Sequence, residues 1–139
     1  MERIIKNLGI FIIFCGLTLL PAYSTGEQMS LSTLITAQNI PYENCWKVFN
    51  TDNNTLFFLT LSAINANRFE IEEIQSKSGY ILFTAVNKPF LATVVNVNKN
   101  QGMLRITPAD NSYFFQPGII LNIFKFIELN VDKKPQVIF

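Results

Sequence analysis

A chain of 139 residues with 11 basic and 10 acidic side chains and a formal charge of +1 has room for one domain and exerts little pull on a nucleic acid. It contains no histidine, which excludes Ser-His-Asp and Cys-His catalysis and every metal site that needs an imidazole ligand. Hydrophobic residues make up 49% and charged ones only 15%, a balance that excludes a disordered chain and supplies material for a core.

The N-terminus has the pattern of a secretory signal. Arg3 and Lys6 precede an apolar run over residues 8–20, Pro21 ends it, and Ala22-Tyr23-Ser24 offers a cleavage site after Ser24. The run is shorter than the roughly 20 residues of a spanning helix, so a cleaved signal is expected over an anchor. Phe14 before Cys15 is too bulky for a lipidation site. Residues 1–24 are thus expected to be a signal peptide, 25–40 a polar linker or short helix, and 41–139 one small domain. The destination is export to a periplasm, cell envelope or extracellular space, with membrane contact only through the signal. Removing 1–24 takes away Glu2, Arg3 and Lys6 and leaves acidic and basic residues balanced. It also takes Cys15, so Cys45 remains as a lone thiol that cannot form an internal disulfide and is expected to be buried near Trp46, Val48 and Phe49.

Pro41 marks a boundary, and Thr51-Asp52-Asn53-Asn54 can cap a helix. A buried helix is expected over 56–67; the rival is a hairpin pairing 45–49 with 56–61. Length, Ala63 and Ala66 favour the helix. Phe69 and Ile71 then alternate with Glu70 and Glu72 as in a half-buried strand. A turn over 76–79 leads to a strand over 80–86. A second turn at Asn87-Lys88-Pro89 leads to a strand over 90–97, and a third, over 98–102, to a strand over 103–107. Connections this short require an antiparallel meander. Pro117 fits the first position of a helix with Ile119, Ile120, Ile123, Phe124, Phe126 and Ile127 on an apolar face and Asn122, Lys125 and Glu128 opposite. The expected fold is a two-layer α+β domain: N-terminal helix, four-stranded antiparallel meander, then a C-terminal helix packed on one face of the sheet. Val137, Ile138 and Phe139 either add an edge strand or hang free.

Few residues carry chemistry. Glu70, Glu72 and Glu73 form the one carboxylate cluster, suited to acid/base work or to a cation, but their alternation with apolar residues fits a solvated strand face better. Cys45-Trp46 lacks the glycine context and the histidine of a papain-like nucleophile. Asn53-Asn54-Thr55 is a glycosylation sequon expected by chance in an asparagine-rich chain. Gly79 and Gly102 lie in separate turns and form no phosphate loop, so no cofactor is implied.

The aromatic residues carry the most information. Tyr80, Phe83, Phe90 and Phe124 are the candidates to line an apolar ligand pocket between sheet and helix, weighed against plain core. Leu121 and Leu129 fall on the polar side of the last helix around Lys125 and are the candidates for a partner-binding patch. The terminal phenylalanine is similar to the end of outer-membrane β-barrel chains, but such barrels need eight strands and half that number is expected here. The order of elements is similar to that of small helix-and-meander modules in envelope assembly accessory proteins, a fold-level likeness that fixes no residue roles. The expectation is a non-enzymatic exported module that binds a partner protein or a hydrophobic ligand through the sheet and C-terminal helix, without nucleic acid. The alternatives are a small carboxylate-dependent hydrolase and a lipid-binding protein of the membrane surface.

Overall fold

The computed structural model describes residues 30–132; the expected signal over 1–24 and the apolar end 137–139 lie outside them. Helix α1 (Leu31–Ile35) and strand β1 (Gln38–Asn39) come first, and a 3-10 turn (Tyr42–Cys45) leads into β2 (Trp46–Phe49). Helix α2 (Asn53–Ala66) is followed by β3 (Glu70–Gln75), β4 (Tyr80–Ala85), β5 (Lys88–Asn98) and β6 (Gln101–Pro108). The two-residue β7 (Phe114–Phe115) and helix α3 (Gly118–Asn130) complete the described chain. Five strands form an antiparallel sheet in the order β2-β6-β5-β4-β3, while β1 and β7 make a separate antiparallel pair. The protein is α+β with an antiparallel sheet.

Two details of the expected architecture are corrected. The sheet has five strands, not four, and it is a strand, β2, that comes before the long helix. Trp46-Lys47-Val48-Phe49 does not pair with the segment after it. It crosses to the free edge of β6 with Trp46 opposite Arg105 and Phe49 opposite Gly102. That register buries Phe49 against Phe124, with ring centroids 5.9 Å apart, whereas Trp46 and Val48 face the other way. The hairpin rival fails because residues 53–66 are helical. Asp52 caps them: its carboxylate accepts from the Thr55 backbone N–H at 2.8 Å and the Thr55 hydroxyl at 3.1 Å. Leu56, Phe57, Thr60, Ala63 and Ile64 recur at helical spacing and are buried. Thr60 satisfies its buried hydroxyl by donating to the Leu56 carbonyl at 2.7 Å.

The β4–β5 turn is also corrected. It is Val86-Asn87, with φ of 51° and 60°, and Lys88 and Pro89 already belong to β5. Two positive φ values at the centre of a two-residue loop match the twist of the flanking strands, which is why this geometry closes hairpins. Proline is tolerated in β5 because it lies opposite Thr84 near the strand's start. At the β3–β4 turn Gly79 adopts φ 75°, where its carbonyl accepts from Val94 N–H at 2.8 Å.

Period-two alternation divides the sheet into two unlike faces. Ile81 and Phe83 of β4, Phe90, Ala92 and Val94 of β5, and Leu104 and Ile106 of β6 point inward and are buried. Helix α2 lies against this face, α3 packs on α2, and Ile120, Ile123 and Ile127 are among the buried residues of α3. Gly102 permits the approach: a Cβ there would stand 2.9 Å from both Asn53 Oδ1 and Leu56 Cδ2. The rings of Phe69, Phe83, Phe90 and Phe115 run in an unbroken series, with successive centroids 5.9, 5.6 and 5.0 Å apart.

Candidate functional site

The parity that fills the core leaves the other face of the sheet to different residues. Cross-strand pairing aligns Gln75, Tyr80, Thr93, Arg105 and Trp46 in one row across all five strands. On one side of it lie Val95, Met103 and Val48, and on the other Glu73, Leu82, Leu91 and Thr107. No described element packs on this face. Trp46 and Val48, on the same side of an edge strand, are 40% and 39% exposed.

Its charges are segregated. Arg105 stands on β6, half-buried, and makes no hydrogen bond or ion pair among the described residues, where the ion pairs join Lys47 to Glu128 and Lys88 to Asp110. Its charge is felt by Tyr113, whose hydroxyl pKa is pushed up by burial and partly pulled back by the nearby guanidinium. Tyr113 in turn meets Tyr42 edge to face at 6.4 Å. The acidic groups are on β3. A bulge between Ile71 and Glu73 interrupts the alternation. In consequence Glu72 and Glu73, adjacent in sequence, both reach the open face: Glu72 accepts from the Thr84 hydroxyl at 3.0 Å and Glu73 from the Tyr80 hydroxyl at 2.9 Å. The bond to Glu73 raises the Tyr80 pKa, because the phenol must keep its proton to donate. All three glutamates, Glu70 included, are exposed, as the solvated-face reading expected.

Of the four expected ligand-binding residues only Phe83 and Phe90 are brought together. Phe83 and Phe90 are fully buried in the ring series, Phe124 packs on Phe49, and Tyr80 lies on the opposite face of the sheet. Leu121, Lys125 and Leu129 do share an exposed stripe of α3. The helices cover the inner face, so that stripe and the open face belong to opposite sides of the two layers. A surface cleft of about 310 Å³ lies instead between the start of α2 and the β3–β4 turn, lined by Asn53, Phe57, Phe58, Lys77 and Ser78 among others. Asn53 Oδ1 is buried without a hydrogen-bond partner, but it lies against Gly102. Cys45 is fully buried, its thiol reaches toward the Pro41 carbonyl at 3.8 Å, and burial pushes its pKa up to about 11. That is an inert thiol. Among the described residues no three Cys, Asp or Glu side chains gather in a way that could hold a metal, and no helix is long and apolar enough to cross a membrane.

Sequence reasoning missed Trp46, Arg105, Val48 and Met103 as members of one surface. The signal was present in Met103-Leu104-Arg105-Ile106-Thr107, where alternation sets Arg105 and Met103 on the side away from Leu104 and Ile106. No protein-family model matches the chain, and comparison with curated proteins finds no similar sequence.

Proposed function

We propose that the protein is an exported, non-catalytic accessory module that engages a partner protein through the open face of its sheet. The observation that carries this reading is the grouping of Trp46, Val48, Val95 and Met103 around Arg105, an apolar field with one uncompensated cation on a face that no described element covers. Interfaces concentrate tryptophan, methionine and arginine in this way, because a flat apolar area supplies burial and a single charge fixes register. Export rests on the sequence pattern of residues 1–24. The partner reading is preferred to a hydrophobic ligand because the stacked phenylalanines fill the inner layer where that ligand would lie.

A photo-reactive amino acid in place of Thr93, at the centre of the open face, tests the proposal in the source cell. A discrete protein adduct from position 93, with none from position 58 on the exposed side of α2, is the expected result. Adducts at 58 and none at 93 refute it.

A further inference from the structure

We infer that the partner on the open face is a second copy of this chain, joined face to face about a two-fold axis that runs along β5. The inference rests on the reading of the open face as a binding surface. What points to a second copy is the way the charges are disposed about the central strand. Arg105 lies one strand to one side of β5, and Tyr80, whose hydroxyl holds the Glu73 carboxylate at 2.9 Å, lies one strand to the other side in the same row. Within one chain β6 and β3 are three strand spacings apart, about 14 Å, so Arg105 and Glu73 do not meet. Neither has an oppositely charged partner among the described residues.

A two-fold axis along β5 exchanges the two sides. It sets β6 over the second copy's β4, so each Arg105 lies opposite the other copy's Tyr80 and the carboxylate held there. Sheets packed face to face stand about 10 Å apart, a gap that an arginine and a glutamate reaching from opposite sides can span. On the axis Leu91, Thr93 and Val95 meet their own counterparts, and such self-matching is what an isologous contact requires. Because the charge pattern is antisymmetric about β5, each pair forms twice. The face measures roughly 24 Å by 24 Å, or about 1,150 Å² over both copies, near the lower limit for a specific interface. An area at this low end is typical of transient, reversible association.

The test is sedimentation velocity across a concentration series of the protein as it accumulates in an expressing cell, with Arg105→Glu and Glu73→Arg. Each variant alone sets two like-charged pairs face to face and should raise the dimer dissociation constant by about tenfold or more. Mixing the two variants restores two opposite-charge pairs, and the mixture should associate nearly as well as the parent. Variants that associate like the parent overturn the inference. So does a mixture no tighter than the variants alone, or a parent that stays monomeric to about 1 mM. If the parent is monomeric while position 93 captures a different protein, self-association fails and the binding-face reading stands; if position 93 captures nothing, both fail.

Discussion

Replacing Val86 by asparagine should stabilise the protein. Val86 occupies the first central position of the β4–β5 turn at φ 51°, in the left-handed region where an L side chain crowds its own carbonyl. That conformation costs an ordinary residue about 1–2 kcal/mol, and a β-branched one suits it least. Asparagine tolerates it and is the preferred residue for a turn with two positive φ values. Against the gain stands the lost burial of the valine. The side chain is 57% exposed, so less than half of the ~1.5 kcal/mol assigned to a fully buried valine is forfeited. The net expectation is about 0.5–1 kcal/mol of added stability, read as a higher urea midpoint at unchanged slope. Equal stability, or a loss, would show that the valine's contacts outweigh the strain and refute the argument.

Gly102→Ala should destabilise by roughly 1–3 kcal/mol in the same assay, because its Cβ meets Asn53 Oδ1 and Leu56 Cδ2 at 2.9 Å and α2 must shift; a neutral result would mean that the helix yields freely. Phe83→Ala should cost about 3–5 kcal/mol, since its ring is sandwiched between Phe69 and Phe90, whereas a side chain lining an open pocket would cost far less. Stability should fall as pH rises from about 9 toward 11: the buried Cys45 keeps its proton up to about 11, while the unfolded thiol releases it nearer 9. The native state binds the extra proton in that window, so alkali favours unfolding. Urea midpoints against pH for the parent and Cys45→Ala check this, and an equally steep decline in the variant would rule the thiol out as a cause.

Where local chemistry decided structure, the sequence was legible. The cap formed by Asp52, the helical spacing from Leu56 to Ile64, the alternation through β4, β5 and β6, and Pro117 before α3 each act over a few residues, and each is within one or two residues of where the pattern placed it. The misreadings involve choices made at long range. Trp46–Phe49 is too short to declare its partner, and its pairing with β6, across more than fifty residues, depends on Phe49 finding Phe124. The bulge at Glu72 has no signature in Glu70-Ile71-Glu72-Glu73, because both Glu72 and Glu73 turn outward only where Thr84 and Tyr80 on the neighbouring strand hold them. Val86 was passed over as a turn residue because intrinsic preference argues against it, and only closure of the hairpin forces it there. The open face escaped notice for a related reason. Its members come from five strands, and no single one carries more than two of the apolar residues there.

The bulge in β3 also bears on how the protein behaves in a crowded solution. A sheet grows by recruiting strands along its hydrogen-bonding direction, and an exposed regular edge invites that growth without limit. Here one border is kinked by an extra residue and fringed with three carboxylates, and the opposite border is four residues long. Neither offers a long straight template. Lateral addition is discouraged at both ends, so whatever this sheet recruits must approach from above it and stop at a finite number of chains.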